Sequence, residues 1–271
     1  MLRWSCLKRR ALITGASSGI GAAAARLLAL RGYSVALLAR REDRLLLLAE
    51  ELRRAGAPDP MVLACDLARP ATLEPCIERL QAEWGALDLL VNNAGVGYRA
   101  RVEELEDAKL EHLFRINVLG SMHACRLTLP LLREGDAPGV VLVASVVGRR
   151  GIPGQSAYSA SKAALVSFGE ALRIEWARDN IAVSILEPAL TATGFFEAQE
   201  NPSGLAAPDL SRASGPEEVA QAVWMLDRHP RPELSMRWKW RMLGMLSILA
   251  PRLSDRVLAR RLGERWIAPQ R

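Results

Sequence analysis

The sequence predicts an α/β protein with a single doubly wound parallel sheet and a small helical C-terminal extension. Short apolar runs alternate with stretches of helical spacing between residues 10 and 187. This alternation is typical of parallel strands covered by helices on both faces. A glycine-rich turn follows the first apolar run, as expected where such a sheet binds a ligand. The 271 residues are enough for one α/β domain of ordinary size.

The individual elements follow from apolar runs bounded by glycine, proline and polar residues. Gly32 ends the first helix, and the loop 194–215 is rich in small and turn residues, which predicts a mobile flap. The predicted strands are 10–14, 33–39, 61–65, 87–92, 140–145 and 182–187. The predicted helices are 22–31, 42–55, 72–84, 107–132 and 157–178.

Composition narrows the class of protein. Half of the residues are hydrophobic and 24% are charged, which is typical of a globular protein. The four cysteines form no C-x-x-C pair and no ligand-like cluster with the three histidines. We therefore predict reduced thiols and no metal site. Reduced thiols, no recognisable signal peptide and no run of ~18 apolar residues favour a cytoplasmic protein.

One helix is predicted to carry a tyrosine and a lysine four residues apart, Tyr158 and Lys162. That spacing places both side chains on one helix face, one turn apart. A lysine ammonium near a phenol favours the phenolate, so we expect the pKa of Tyr158 to be lowered. A tyrosine tuned in this way exchanges protons during catalysis. The alternative is an exposed helix pair with no role.

The glycine-rich turn joins the first strand to the first helix with the spacing G-x-x-x-G-x-G. Glycines let the backbone turn tightly and approach a pyrophosphate, which rests on the helix N-terminus. The alternative is an ordinary strand–helix turn. The position in the first strand–helix connection favours a Rossmann-type dinucleotide site formed by Gly15, Ser17, Ser18, Gly19, Ile20 and Gly21.

The end of the second strand indicates which dinucleotide is preferred. An NAD site needs an acidic residue there for the ribose diol, whereas an NADP site needs arginine for the 2′-phosphate. Arg40 and Arg41 occupy these positions and no carboxylate does. The planar guanidinium fork matches phosphate. We therefore expect NADP(H) to be preferred over NAD(H).

With these residues assembled, residues 8–230 resemble the short-chain dehydrogenase/reductase family. Thr14 to Gly21 resemble the family's T-G-x-x-x-G-x-G, and residues 92–95 its N-N-A-G. The resemblance implies the catalytic residues Asn117, Ser145, Tyr158 and Lys162. It also implies that the cofactor meets Asp66, Leu67, Asn93, Ala94, Gly95, Tyr158, Lys162, Pro188, Thr191 and Thr193.

The resemblance also implies a role for each catalytic residue. Tyr158 is expected to exchange a proton with the substrate oxygen, and Lys162 to lower its pKa and hold the nicotinamide ribose. Ser145 is expected to hydrogen-bond the substrate oxygen, and Asn117 to hold a water that relays protons to Lys162. The implied reaction is hydride transfer between NADP(H) and a carbonyl or secondary alcohol. The alternative from another class is a non-catalytic dinucleotide-binding sensor or scaffold.

Two departures from the family pattern concern local backbone and assembly. Ala189 replaces the glycine that usually follows the proline after the sixth strand. The glycine-rich ending common in tetrameric members is absent, which puts a tetramer in doubt. A homodimer through the two long helices is still expected.

The expected pocket residues are mostly apolar and predict a hydrophobic small-molecule substrate near Ser145 and Tyr158. They are Tyr98, Val147, Phe195, Phe196 and Leu205.

The predicted domains are a catalytic domain, 1–233, and a basic apolar extension packed on it, 234–271. Residues 234–271 carry nine Lys or Arg and two Asp or Glu, a net charge of +7, whereas the whole chain carries +6. We expect a strand and two helices over 234–265, broken near Pro251, with Ser254 capping the second helix. Met242, Leu243, Leu246 and Leu249 are expected on one side of the first helix.

Two interpretations of this extension are equally favoured, and both can hold at once. Tryptophans and cations beside an apolar run are typical of a peripheral membrane contact. Alternatively, residues 242–250 pack on the body and cover the substrate pocket. Nucleic-acid binding is not expected, because no recognition motif accompanies the charge.

Overall fold

The computed structural model describes residues 9–206, 209–211 and 213–262. Within that part of the chain, seven strands form one sheet in which all neighbours are parallel. The strands are β1 (Arg10–Thr14), β2 (Ser34–Ala39), β3 (Met61–Ala64), β4 (Leu89–Asn92), β5 (Gly139–Val143), β6 (Ala182–Glu187) and β7 (Glu233–Ser235). Their order is β3-β2-β1-β4-β5-β6-β7, so the order in which strands are added reverses between β1 and β4. The predicted doubly wound parallel sheet is confirmed.

Helices cover both faces of the sheet and bury two apolar cores. The helices are α1 (Gly19–Leu30), α2 (Glu42–Arg54), α3 (Glu74–Trp84), α4 (Asp107–Phe114), α5 (Ser121–Arg133), α6 (Ser156–Glu175), α7 (Pro216–Arg228), α8 (Trp238–Leu249) and α9 (Pro251–Leu262). Successive side chains of a strand point to opposite faces. Leu12 accordingly packs in the core formed with α3, α5 and α6, whereas Ala11 and Ile13 pack in the core formed with α1, α2 and α7.

Two helical features differ from the sequence prediction. Helix α7 was not predicted, although Pro216 at its first position and Glu217 and Glu218 in its first turn are favourable there. The helix predicted over 107–132 is interrupted by a π-helical turn, Arg115–Gly120, between α4 and α5. The extra residue in a π turn rotates the following helix without removing its apolar face, so the apolar spacing does not reveal it.

The C-terminal extension has the predicted strand and two helices, and they separate at Pro251. The cap prediction is wrong, because α9 begins at Pro251 and not after Ser254. Proline is favoured at a first helical position, where the missing N–H has no intrahelical partner. Ser254 is fully buried inside α9, and its Oγ lies 2.7 Å from Oγ of Ser247. Residues 1–8 and 263–271 of the two predicted domains lie outside the described residues.

The predicted shared face of the first extension helix is also wrong. Leu243 is buried and Leu246 is partly buried, but Met242 and Leu249 are exposed. Only a narrow stripe of α8 packs on the body, where it meets Ile152.

Candidate active site

A cleft of about 1520 Å³ opens at the carboxyl ends of the strands. Its lining is contributed by the segments that follow β1 to β7, as expected for a doubly wound sheet. Phe196 and Leu205 of the expected apolar pocket also line it. The other predicted site residues that line the cleft are Gly15, Ser17, Ser18, Gly19, Ile20, Arg40, Arg41, Asp66, Leu67, Asn93, Ala94, Gly95, Ser145, Val147, Tyr158, Lys162, Pro188, Thr191, Thr193 and Phe195.

The glycine-rich turn requires glycine for two distinct reasons. Gly15 has φ +70°, a left-handed conformation that side chains disfavour. A Cβ added to Gly21 would lie 2.2 Å from the carbonyl oxygen of Gly15, which leaves no room for a side chain. Gly21 thus packs beneath the turn, and the turn is free to follow the cleft wall.

The N-terminus of α1 presents unsatisfied backbone donors to the cleft. Ser18 precedes α1 but makes no side-chain capping bond, and the first turn carries no acidic residue. Helix N-termini with uncapped N–H groups attract phosphate. Gly19 and Ile20, the first two residues of α1, line the cleft. The turn and α1 therefore fit the pyrophosphate of a dinucleotide.

Arg41 lies against this glycine-rich turn. Its Nη2 donates to Oγ of Ser17 at 3.1 Å and to Oγ of Ser18 at 2.9 Å. Arg40 also lines the cleft. One guanidinium is thus held beside the two serine hydroxyls, where it adds positive charge to the anion site.

Thr14 fixes the neighbouring wall. Its buried Oγ1 accepts the backbone N–H groups of Asn93 and Ala94, both at 2.9 Å. Nδ2 of Asn93 in turn donates to the carbonyl oxygen of Thr14 at 2.9 Å. These bonds join the end of β1 to the loop after β4, and the strand order reverses between these two strands. The bonds therefore fix the floor of the cleft.

Asn117 lies behind the cleft wall in the π-helical turn and is fully buried. Its Oδ1 accepts the N–H of Val96 at 2.8 Å, and its Nδ2 donates to the carbonyl oxygen of Val96 and to Oγ of Ser161, both at 3.0 Å. A Cβ added to Gly95 would lie 3.2 Å from Oδ1 of Asn117 and 3.4 Å from Nζ of Lys162. Asn117 and Lys162 therefore both lie beside Gly95.

Tyr158 and Lys162 lie on α6 and are both buried, with exposed fractions of 9% and 4%. Nζ of Lys162 lies 5.9 Å from the centroid of the Tyr158 ring. Burial raises the pKa of Tyr158, and a hydrogen bond with Ser145 opposes that shift. Burial lowers the pKa of Lys162 to about 8. The predicted lowering of the Tyr158 pKa by Lys162 is not seen, because burial disfavours the charged form of both groups.

Ser145 follows β5 at the beginning of a short 3₁₀ turn. Its Oγ accepts the N–H of Val147 at 3.4 Å and lies 3.5 Å from the carbonyl oxygen of Pro188. Both are long bonds, so the hydroxyl retains capacity for a closer partner. Ser145 and Tyr158 thus direct two hydroxyl groups at the same part of the cleft.

The apolar end of the cleft is built around Phe195. Its ring centroid lies 5.7 Å from that of Tyr158 and 5.5 Å from that of Phe196. Tyr98 is not among the residues that line the cleft. It is buried behind the wall in a cluster with Tyr158, and its hydroxyl accepts the N–H of Glu106 at 3.1 Å.

Part of the cleft lining is not predicted by the sequence. Residues 236–240, which precede and begin α8, line the cleft, together with Ile152 and Gln155. The sequence offers residues 242–250 as the cover of the pocket instead. Tryptophans and cations alternate at 237–240, but the turn that brings them to the cleft depends on the pairing of β7 with β6.

Arg149 also went unrecognised. It forms ion pairs with Glu187 at 2.5 Å, Glu170 at 3.0 Å and Glu233 at 2.8 Å. A Cβ added to Gly244 of α8 would lie 3.1 Å from Cβ of Arg149. The guanidinium thus joins β6, β7 and α6 directly below the place where the extension packs.

The family model for short chain dehydrogenases matches residues 9–203. This chain belongs to the short-chain dehydrogenase/reductase family. Carbonyl reductase family member 4 of Xenopus tropicalis is 32% identical over 221 residues, which cover 80% of this chain and 90% of that protein.

Solved structures agree with the family assignment. An alcohol dehydrogenase from Thermococcus sibiricus complexed with 5-hydroxy-NADP superposes with a TM-score of 0.77 and 30% identity, covering 85% of this chain and 97% of that one. A 3-ketoacyl-(acyl-carrier-protein) reductase from Brucella melitensis complexed with NADH gives a TM-score of 0.75 and 27% identity, covering 84% of this chain and 96% of that one. The chain therefore belongs to an oxidoreductase family and shares its fold with proteins that bind nicotinamide dinucleotides.

Proposed function

We propose that this short-chain dehydrogenase/reductase transfers a hydride between NADP(H) and a carbonyl or secondary alcohol of a hydrophobic small molecule. One observation carries the proposal. Ser145, Tyr158 and Lys162 line the same cleft as the glycine-rich turn, and that cleft ends in an aromatic surface at Phe195. Bound nicotinamide would supply or accept the hydride, and the protein would supply orientation and proton transfer.

Tyr158 acts as the proton donor in the reductive direction. Because burial raises its pKa, its phenol keeps its proton at neutral pH. The phenol gives that proton to the substrate oxygen as negative charge develops there. Ser145 donates a hydrogen bond to the same oxygen, an electrostatic contribution that is strong in a site from which water is excluded. In the oxidative direction the phenolate takes the alcohol proton.

Lys162 stabilises the phenolate that remains after proton transfer. With a pKa of about 8 it is mostly cationic at neutral pH, and a buried cation near a phenolate favours the charged form. Its ammonium would also hold the nicotinamide ribose of a bound cofactor. The phenolate would regain its proton from Lys162, and a water would then return a proton to the lysine. Asn117 holds the backbone of Val96 next to Gly95, which Lys162 also approaches, so such a water would lie beside it.

We infer a preference for NADP(H) from Arg40 and Arg41. Arg41 is held against Ser17 and Ser18 beside the site fitted for a dinucleotide pyrophosphate, and arginine matches a 2′-phosphate. The two neighbouring structures divide on this point, since one is a complex with an NADP derivative and the other with NADH. The preference therefore depends on this chain's own arginines.

Carbonyl reduction also agrees with what the similar proteins are named for, namely carbonyl, alcohol and 3-ketoacyl chemistry. Phe195, Phe196 and Leu205 favour an apolar substrate body next to the reacting oxygen. The competing function is a non-catalytic dinucleotide sensor or scaffold. It would bind cofactor in the same cleft but would have no use for the buried pair of Tyr158 and Lys162.

A substrate screen separates these functions. The purified native chain would be incubated with NADPH or NADH and hydrophobic ketones, and with NADP⁺ or NAD⁺ and the matching secondary alcohols. We expect cofactor absorbance to change with at least one apolar ketone or alcohol, and faster with the phosphorylated cofactor. Tight cofactor binding without turnover of any member of a broad panel would favour the sensor.

A further inference from the structure

We propose that α8 and the start of α9 form a docking surface for an anionic lipid bilayer beside the mouth of the cleft. We call this the lipid-facing surface and define it by six exposed apolar side chains. They are Trp238, Met242, Met245, Ile248, Leu249 and Leu253. The surface binds the membrane interface from one side, and no described helix is long and apolar enough to cross a bilayer.

Exposed large apolar side chains are much denser in this segment than in the rest of the described chain. Thirteen large hydrophobic residues are exposed among the described residues, and six of them lie between 238 and 253. Ile248 and Leu249 are the most exposed of the thirteen, at 83% and 82%. Single exposed apolar side chains need no explanation, but a contiguous group marks an interaction site.

Helix α8 is apolar on two opposite sides. Its inner side packs Leu243, with the partly buried Trp240 and Leu246, against Ile152 and Leu258. Its outer side carries five exposed side chains of the lipid-facing surface, Trp238, Met242, Met245, Ile248 and Leu249. A helix that is apolar all round is normally buried in protein or lipid. The inner contacts therefore account for only three of the eight large apolar residues in α8.

The charges around this surface are mostly positive. Lys239 and Arg241 lie in the first turn of α8, Arg252 and Arg256 lie in α9, and all four are exposed. Helix α8 contains no acidic residue. The acidic residue nearby in α9, Asp255, forms an ion pair with Arg150 of the body. Apolar side chains bordered by exposed cations are typical of helices that lie in an anionic membrane interface.

The same charges argue against a second copy of this chain as the occupant. A two-fold contact places the same patch on both partners. Lys239, Arg241, Arg252 and Arg256 would then face identical cations, and α8 offers no carboxylate to pair with them. Lipid phosphates would neutralise all four while the acyl region receives the apolar side chains. The bilayer is therefore the occupant that satisfies both features.

The position of the surface connects it with the cleft. Trp238, Lys239 and Trp240 line the cleft, and Trp238 belongs to the lipid-facing surface as well. Docking would place the cleft mouth at the headgroup level, where an apolar ketone or alcohol partitioned in the bilayer reaches Phe195 without crossing water. This consequence rests on the proposed function, whereas the docking itself does not.

Vesicle co-sedimentation tests the docking. The full-length protein would be mixed with large vesicles of phosphatidylcholine plus phosphatidylglycerol, or of phosphatidylcholine alone, at low and high salt. We expect binding to the anionic vesicles that weakens with salt. Ile248→Glu with Leu249→Glu should weaken binding about tenfold or more, because two carboxylates would replace apolar contacts with lipid.

The chain offers a matched control. Leu46 and Leu47 form an exposed neighbouring pair on α2, at 51% and 67%, and α2 packs beside β3 at the opposite edge of the sheet. Leu46→Glu with Leu47→Glu adds the same charge and should bind vesicles like the native protein. Cooperative thermal unfolding of both variants would verify that they are folded.

Several outcomes would overturn the docking proposal. They are native protein that stays in the supernatant with anionic vesicles at low salt, and equal loss of binding in the control. In a third outcome, native protein does not bind vesicles, and light scattering shows that Ile248→Glu with Leu249→Glu converts a dimer to a monomer. The surface would then join two copies of the chain. Turnover of a water-soluble ketone should be the same in the native and variant proteins. Its absence in both would count against the proposed function alone.

Discussion

Nζ of Lys162 donates a 3.0 Å hydrogen bond to the carbonyl oxygen of Val143, the last residue of β5. The bond anchors the amine at the carboxyl end of the sheet, under the cleft. Burial lowers the pKa of Lys162 from 10.5 to about 8, which corresponds to about 3 kcal/mol of unfavourable burial at neutral pH. The fold keeps this group at a cost to stability, as is common for catalytic groups.

Lys162→Met should therefore stabilise the fold while abolishing turnover. We expect a gain of about 2 kcal/mol at neutral pH, because the removed burial cost of about 3 kcal/mol exceeds the lost bond to Val143 of about 1 kcal/mol. Chemical denaturation of native and variant protein measures the difference. A variant less stable than the native protein would contradict this account.

The same substitution has a defined pH dependence. The folded pKa of Lys162 lies below its ordinary value, so the unfolded chain binds the extra proton between about pH 8 and 10.5. Native stability from this group therefore rises with pH across that window, and its burial cost is fully present below it. The advantage of Lys162→Met should shrink from neutral pH toward pH 10.5. An advantage that stays constant would show that the pKa of Lys162 is not lowered.

Arg41→Ala should weaken NADPH binding more than NADH binding. Arg41 donates to Ser17 and Ser18 beside the glycine-rich turn, so its removal takes a cation from the proposed 2′-phosphate site. We expect the Kd for NADPH to rise about tenfold or more, and the Kd for NADH to change little. Fluorescence titration gives both constants. Arg44→Ala removes an exposed arginine from α2 and serves as the control.

Gly21→Ala should destabilise the fold and impair cofactor binding. Its Cβ would lie 2.2 Å from the carbonyl oxygen of Gly15, so the turn must shift. We expect a loss of about 1–3 kcal/mol, typical of overpacking. Gly151→Ala is the matched control, since an added Cβ there meets no atom within 4 Å. Thermal unfolding and cofactor titration of both variants test the prediction, and equal behaviour of the two would refute it.

The predicted homodimer through the two long helices calls for a separate measurement. Leu119 in the π-helical turn and Ile174 in α6 are exposed apolar side chains on these helices, at 46% and 79%. We expect the native protein to be a dimer by light scattering, and Leu119→Arg with Ile174→Arg to shift it to monomer. Leu30→Arg on α1, 64% exposed in the native protein, should leave the dimer intact.

Local patterns were sufficient to predict most of the sheet. The strands over 10–14 and 182–187 have the predicted bounds, because buried parallel strands are continuous apolar runs bounded by turn residues. The segments that follow the strands converge on one cleft for the same reason, since parallel strands bring their carboxyl ends to one edge.

Features that depend on burial or on tertiary contacts were not predictable. The spacing of Tyr158 and Lys162 shows that they are neighbours but not that both are buried, and burial determines the direction of both pKa shifts. The π-helical turn places Asn117 against Val96 and Ser161, contacts between residues distant in sequence. The cleft-lining position of residues 236–240 depends likewise on the pairing of β7 with β6.

Turnover by Tyr158→Phe tests the central claim most directly. The substitution keeps the ring beside Phe195 and removes only the hydroxyl that we propose exchanges a proton with the substrate oxygen. With a ketone that the native protein reduces, we predict that turnover falls by about a thousandfold or more, as expected for loss of a general acid. The Kd for NADPH should stay close to the native value. Turnover within about tenfold of native, with cofactor binding intact, would contradict the assignment of Tyr158 as the proton donor.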